Sequence, residues 1–242
     1  MSNLQEPGHG QQVVFPDKNL EAEVRESLWI AKRLLTCNDL KRLESLTAWG
    51  YKCESLKKVE NLAGLERCVN LTRLNVSRTK VSDVTPLAGL TNLTRLDLGH
   101  TQINDVTPLA SLGSLTGLDI EGNEIRDVSP IASLTNLKML DLSGNQVSDI
   151  SALASLANLT WLGLEGNHIS DISSLASLTN LTEIWISQNQ FSDISPLTSL
   201  TELEICYGEY DRPHISGTRV TSKQYNRASG KVIAAHNIKL IR

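Results

Sequence analysis

The feature that most constrains this chain is a sequence pattern that recurs every 22 residues. Each of its six copies has the form L-x-x-[LI]-x-[LVI]-x-x-[NT], and the copies begin at Leu71, Leu93, Leu115, Leu137, Leu159 and Leu181. A single copy is too short to bury its own leucines, so neighbouring copies must stack and share one continuous core. The repeat therefore predicts a solenoid with one turn of coil per copy.

Each copy joins a strand pattern to a run with a period of three. In the fourth copy, Leu140, Asp141 and Leu142 alternate between apolar and polar, which is typical of a half-buried strand. Apolar residues then fall at every third position from Val147 to Leu159, a spacing that suits short 3₁₀ or extended segments. Prolines lie in this return segment in several copies, at Pro86, Pro108, Pro130 and Pro196. Because proline costs about 3 kcal/mol inside a helix, we expect a thin convex side opposite a parallel sheet.

Two polar columns share the same period. The pattern ends in threonine in the first two copies and in asparagine in the rest, at Thr79, Thr101, Asn123, Asn145, Asn167 and Asn189. We expect these side chains to form a ladder that bonds the backbone at the turns. Aspartate recurs at Asp83, Asp105, Asp127, Asp149, Asp171 and Asp193. A metal or catalytic role is one interpretation of that row, but its fixed phase favours capping of each return segment.

The segment NLTRLDLGHTQINDVTPLASL, residues 92–112, resembles the 22-residue leucine-rich repeat of the bacterial internalin-like class. The resemblance covers most of the chain. It implies an α/β solenoid in the form of a right-handed horseshoe, with a parallel sheet on the concave side and 3₁₀ or extended segments on the convex side. It also implies the family's role, which is to bind another protein.

The N-terminal flank is expected to close one end of the core. Residues 1–13 are polar, which predicts a flexible terminus. The block FPDKNLEAEVRESL predicts a helix with Asp17 or Asn19 near its start, and Thr36 leads a second helix predicted to run through Leu43. This block resembles the helical N-terminal cap of internalin-like proteins, and we assign it residues 14–45.

The repeats are assigned residues 46–205, with irregular turns at both ends. Leu46 is taken as the equivalent of Leu71, followed by an irregular strand through Trp49 and Tyr51, and Leu200 as the equivalent of Leu181. The C-terminal cap is assigned residues 206–242, with a protruding loop, a helix and a closing strand. The whole chain is then one domain.

The variable strand positions between the inward leucines should face the concave side. One column reads Ala48, Arg73, Arg95, Gly117, Met139, Trp161, Glu183 and Glu202, and the next reads Gly50, Asn75, Asp97, Asp119, Asp141, Gly163, Trp185 and Glu204. Met139, Trp161 and Trp185 should therefore cluster within roughly 10 Å, given a strand spacing of about 4.8 Å. Because tryptophan and methionine are enriched at protein interfaces, we interpret the cluster as the anchor of a partner. A loop over residues 206–214 that covers the tryptophans is the alternative, as is a dimer or crystal contact.

Charged residues surround this predicted anchor. Arg73, Arg78 and Arg95 make the N-terminal end of the face basic, and an acidic rim comprises Asp119, Glu121, Asp141, Glu165, Glu183, Glu202 and Glu204. A partner with a basic patch would be steered toward the acidic half. Ordinary solvation of surface charge is the other interpretation.

Composition limits the other function classes. The net charge is −4, which gives no overall basic field for nucleic acid, and the apolar runs fall far below the roughly 18 residues that a membrane span needs. The start MSNLQEPGHGQQ lacks the features of a signal peptide, which predicts a cytoplasmic protein as encoded, or a secreted or surface protein if processing precedes this start.

The reactive residue types form no catalytic pattern. The triplet Cys37-Asn38-Asp39 resembles the nucleophile of bacterial leucine-rich-repeat ubiquitin ligases, but those enzymes carry a separate helical catalytic domain, and Asp39 fits helix capping. Cys68 continues an apolar series and should be buried, and a disulfide between Cys37 and Cys53 is an alternative to free thiols. We expect a monomeric, non-enzymatic protein without cofactor or metal that binds a protein partner. The partner's identity and compartment stay open, with a host receptor, a protein of the same cell and self-association as the alternatives.

Overall fold

The structure is a computed structural model that describes residues 11–47 and 58–206, and within these ranges the chain forms one parallel sheet. Eight strands pair in chain order, β1 with β2 and so on to β8. Their bounds are Ser45–Thr47, Arg73–Asn75, Arg95–Asp97, Gly117–Asp119, Met139–Asp141, Trp161–Gly163, Glu183–Trp185 and Glu204–Cys206. The sheet confirms the predicted solenoid, because each turn of coil contributes one strand.

The return segments are 3₁₀-helical, as the period of three predicts. Their bounds are Leu65–Arg67, Thr85–Leu87, Thr107–Ser111, Ser129–Ser133, Ser151–Ser155, Ser173–Ser177 and Ser195–Ser199. In each full repeat the strand leucines and the apolar residues of the return segment point inward and are buried in one continuous core. Cys68 lies in this core, as predicted, and burial raises the pKa of its thiol to about 12.

The N-terminal end of the core is closed by two helices, α1 at Lys18–Leu28 and α2 at Cys37–Leu40. Asp17 caps α1 by accepting hydrogen bonds from the backbone N–H of Asn19 and Leu20, and its other oxygen accepts from the N–H of Glu60, 2.8 Å away. One side chain thus starts the helix and ties it to the first coil.

The second helix is shorter than predicted. It ends at Leu40, and the N–H of Leu43 donates to the Leu40 carbonyl, as the N–H of Leu71 does to Cys68 one turn later. The coil therefore begins at Leu40, and Leu43 serves as a core residue of the first turn instead of continuing the helix.

The pairing also corrects the predicted phase at both ends of the sheet. Leu46 pairs with Leu74, so it is not the equivalent of Leu71. At the other end Ile205 pairs with Ile184, and the N–H of Leu203 bonds Leu200 as that of Leu181 bonds Leu178. Leu203, not Leu200, is thus the equivalent of Leu181. Because apolar residues recur at every third position, several leucines fit the same place in the sequence pattern. Only the strand pairing shows which of them is equivalent to Leu71 or Leu181.

Both polar columns have the predicted structural roles. Each asparagine is buried and bridges two coils: Asn145 donates to the carbonyls of Leu142 and Ile120 and accepts from the N–H of Ile125 at 3.0 Å. Each aspartate caps its return segment by accepting from the N–H two residues on, as Asp149 does from Ser151 at 2.8 Å. Hydrogen bonds from the hydroxyl group and the backbone N–H of the residue two positions on hold the pKa of four of these carboxyls below its usual value, those of Asp83, Asp105, Asp149 and Asp171.

Several predictions lie outside the described residues. These are the first ten residues of the start predicted to be flexible, the strand residues Trp49 and Tyr51, the Cys53 half of the alternative disulfide, the predicted loop beyond Cys206 and the rest of the C-terminal cap. The domain boundaries stay predictions. None of the helices found in the two described ranges has the length and apolarity that crossing a bilayer requires.

Candidate protein-binding face

The concave side of the sheet forms an open groove of about 450 Å³. Two columns of side chains line it from β1 to β6, because alternate residues of each strand point away from the core. The first column runs through Ser45, Arg73, Arg95, Gly117, Met139 and Trp161 and continues to Glu183 and Glu204; the second runs through Thr47, Asn75, Asp97, Asp119, Asp141, Gly163 and Trp185. The groove is therefore a composite surface, basic, apolar and acidic in turn.

The apolar part lies on three consecutive strands, as the sequence predicts. Met139 of β5 pairs with Trp161 of β6, and Trp185 stands on β7 in the next column. Met139 is 46% exposed, and both tryptophans are half-buried. The indole N–H of Trp185 donates to the Glu183 carboxylate at 2.7 Å, which fixes the ring against the sheet.

A row of carboxylates runs beside the first column. Asp97, Asp119 and Asp141 are in register on β3, β4 and β5, and each accepts a hydrogen bond from the backbone N–H two residues on. All three are half-buried. Burial is the main cause that raises the pKa of Asp119 to about 7, and the charges of Asp97, Asp141 and Glu121 add to it. Burial likewise raises the pKa of Asp97.

Gly163 ends this row for a steric reason. A Cβ at this position would overlap a carboxylate oxygen of Asp141 and lie 2.8 Å from the hydroxyl oxygen of Ser143. The side chains of Asp141 and Ser143 therefore occupy the space above Gly163, and a larger residue there would have to displace them.

The basic end holds two arginines on neighbouring strands. Arg73 of β2 pairs directly with Arg95 of β3, and both side chains are exposed. The basic groups whose charge acts on Asp97 are Arg78 and His100, and His100 also pairs with Glu121 at 3.0 Å. Neither Arg73 nor Arg95 has an ion pair with an acid of residues 11–47 or 58–203.

Comparisons with known proteins match this architecture. A family model described as "Leucine rich repeat" matches residues 113–169, and one described as "Leucine Rich repeats (2 copies)" matches residues 69–111 and 157–205. Among solved structures, internalin C2 from Listeria monocytogenes is 35% identical and has a TM-score of 0.67. The match covers 81% of this chain and 95% of the internalin C2 chain. This chain belongs to the internalin-like leucine-rich repeat family.

Two other structures are similar to this internalin-like protein. Internalin InlF from Listeria monocytogenes is 28% identical, with a TM-score of 0.48 and coverage of 79% of this chain and 68% of that one. A TDR receptor, 21% identical with a TM-score of 0.63, shares the fold over 70% of this chain and 31% of its own. Curated protein sequences gave no match. The family is one of protein interaction, so this internalin-like protein is a protein-interaction module.

The structure places most of the predicted site residues of the internalin-like protein on the face and corrects two of them. Arg73, Arg95, Asp119, Met139, Asp141 and Trp161 all line the groove. Glu183 and Trp185 follow on β7, and Glu165 lies just past β6, where it accepts from Gln188 at 3.2 Å. Glu204 pairs with Glu183 in the first column, the place predicted for Glu202, which instead lies before β8 and is exposed. This shift follows from the phase error at the last turn.

Groove residues outside the predicted set have two origins. Asn75 and Gly117 lie in the predicted columns but lack the charge or aromatic character that marks an interface in sequence, and Asp97, although charged and in the same column as Asp119, is not part of the predicted acidic rim. Ser45 and Thr47 were missed because the first strand was predicted a few residues later, at Ala48 and Gly50, which lie outside the described ranges.

Catalysis and metal binding gain no support from the described part of the chain. It contains no group of three or more His, Cys, Asp or Glu side chains placed to hold a metal ion. Asp39 is buried, pairs with Arg33 and forms a capping box with Thr36, and the hydrogen bonds from Arg33 and then from Thr36 hold its pKa well below the usual value. Its position is explained by the N-terminal cap, as predicted.

Proposed function

We propose that the concave face binds a protein partner, anchored by Met139, Trp161 and Trp185. The observation that carries this proposal is an apolar surface, partly open to solvent, on three neighbouring strands of an otherwise polar sheet face. Such surface has no packing role in the core beneath it, which the leucines fill. Tryptophan and methionine in this setting are the residue types that most often anchor interfaces.

Acidic residues at the C-terminal half of the face indicate the charge that the proposed partner carries there. Asp119, Asp141, Glu165, Glu183, Glu202 and Glu204 lie around or beyond the apolar anchor. A partner with a basic patch opposite these residues would be steered onto the face, and its association rate would fall with salt. A secreted factor that binds a host receptor would use the same face. The compartment of the protein therefore decides where its partner comes from, but it does not alter the binding chemistry.

The test is a pull-down with the wild-type chain and with Trp161→Ala/Trp185→Glu, followed by titration of the captured protein. Trp29→Ala is the matched control, because Trp29 is 95% exposed and lies at the end of α1, away from the sheet. Loss of two interface anchors should weaken binding at least a hundredfold, since each hot-spot residue contributes about 2 kcal/mol or more. Circular dichroism establishes that both variants are folded.

Two results would contradict the proposal. A partner that binds the folded double variant as tightly as the wild type would place the interface elsewhere. Loss of binding in Trp29→Ala, with the double variant unaffected, would assign it to the N-terminal cap. We also propose that the protein is a monomer, and sedimentation velocity at several concentrations tests this; a dimer that the double variant disrupts would identify self-association instead.

A further inference from the structure

The first column of the groove carries two like-charged pairs of opposite sign. At one end Arg73 stands across from Arg95 in the register, and at the other Glu183 stands across from Glu204. Like charges directly opposite each other on neighbouring strands destabilise a sheet. The two arginines have no ion pair with an acid of residues 11–47 or 58–203, so folding alone does not explain why they are adjacent.

The residues between these pairs differ in chemical character along the column. From the arginines the column passes Gly117, which bears no side chain, and then Met139 and Trp161 before it reaches Glu183. With strands about 4.8 Å apart, the centre of the arginine pair lies roughly 14 Å from the centre of the Met139–Trp161 pair. Glu183 lies roughly 7 Å beyond that second centre.

These spacings match an extended chain laid across the strands. An extended segment advances about 3.3 Å per residue, so 14 Å spans about four residues and 7 Å about two. Both are even numbers, and alternate side chains of an extended chain point the same way. One segment can therefore present side chains i, i+4 and i+6 to the column together, with i+2 above Gly117.

We propose that the concave face binds an extended segment of its partner that carries an acidic side chain at i, an apolar one at i+4 and a basic one at i+6, in either chain direction. The acidic group pairs with Arg73 and Arg95, the apolar group packs between Met139 and Trp161, and the basic group meets Glu183. This inference rests on the proposed function and adds the chemistry and order of the recognised side chains. The arginine fork suits a carboxylate, since guanidinium and carboxylate groups form paired hydrogen bonds.

The experiment is selection of a displayed library of random nine-residue segments on the full immobilised chain. It is run in parallel on the wild type, on Arg73→Glu/Arg95→Glu, and on Trp161→Ala/Trp185→Glu. A fourth target, Arg67→Glu/Arg126→Glu, changes the net charge equally but reverses exposed arginines that lie outside the strands. Circular dichroism establishes that each variant is folded.

The wild type and the Arg67/Arg126 control should enrich acidic, apolar and basic residues at the i, i+4, i+6 spacing. The Arg73/Arg95 variant should invert the preference at i from acidic to basic, with about a tenfold change in affinity for each selected segment, because like charges now face each other. The tryptophan variant should retain none of these binders.

The outcomes separate this inference from the function on which it rests. An unchanged preference at i on the Arg73/Arg95 variant, with binders lost on the tryptophan variant, overturns the inference and leaves the proposed function intact. Binders that survive on the folded tryptophan variant overturn both. If the wild type enriches no segment, the face does not recognise extended chains, and the inference fails while the pull-down decides the function.

Discussion

At the scale of one residue, Asp119 shows that the carboxylates of the concave face lower the stability of the fold. Its pKa is raised from 3.8 to about 7, so between these two pH values the Asp119 carboxyl is protonated in the folded protein and ionised in the unfolded chain. A raised carboxyl pKa gives stability that is fully present below about pH 4 and is lost as the pH rises through 7. Asp119→Asn should therefore raise the free energy of unfolding by about 1 to 2 kcal/mol at pH 8, after allowance for partial exposure, and by less at pH 5.

Urea unfolding at the two pH values measures this difference. Asp149→Asn is the matched control: it is an exposed cap with a lowered pKa, so its effect should be equal at pH 5 and pH 8. An Asp119→Asn gain that does not grow with pH would mean that Asp119 is ionised at little cost. The sequence could place this residue in a concave column, but its burial depends on neighbours one strand away on each side, which no local pattern reveals.

At the scale of structural elements, the asparagine ladder holds adjacent coils in place. Asn145 donates to the carbonyl of Leu142 in its own coil and also bonds the backbone of Ile120 and Ile125 in the coil before. Asn145→Thr should keep the local bond to Leu142 and leave the N–H of Ile125 buried without a partner, whereas the Ile120 carbonyl still accepts from Asn123. Since a buried group without a partner costs about 1 to 3 kcal/mol, the variant should lose about that much unfolding free energy in chemical denaturation.

Asn136→Thr is the comparison for this substitution. Asn136 donates to Gly113 at 2.8 Å but is exposed, so water can replace its bond and the loss should stay below about 1 kcal/mol. Similar losses in the two variants would contradict the ladder's role as a bridge between buried groups.

The strands and return segments also show which parts of the fold can be predicted from the sequence. The central strands, return segments and polar columns were predictable because each repeat has the same inward residues at the same phase. The ends were not, because Leu197, Leu200 and Leu203 share one spacing and only pairing of Ile205 with Ile184 assigns them. That single ambiguity moved Glu204 into the column predicted for Glu202. At the site, sequence placed Met139, Trp161 and Trp185 on consecutive strands but could not foresee that Glu183 bonds the Trp185 indole.

The whole molecule is a row of coils in which each coil packs mainly on its neighbours. In such a row, stability is a sum of coil and interface contributions, so damage to one coil should spread only over nearby coils. Leu142, fully buried in the middle of the row, is a clean place to test this. Leu142→Ala should cost about 2 to 5 kcal/mol in urea unfolding, and hydrogen exchange should quicken most in the coils on either side.

Leu98→Ala is the partner experiment, because Leu98 is equally buried at the same position of the repeat, two copies earlier. Its zone of faster exchange should have the same width and lie two coils nearer the N-terminal cap, which shields one side of it. Uniformly faster exchange along the whole chain in both variants would instead mean that the solenoid opens as a single unit. That result would also bear on recognition, because the first column spans six strands from Arg73 to Glu183. Its spacing can survive local opening only if distant coils stay closed.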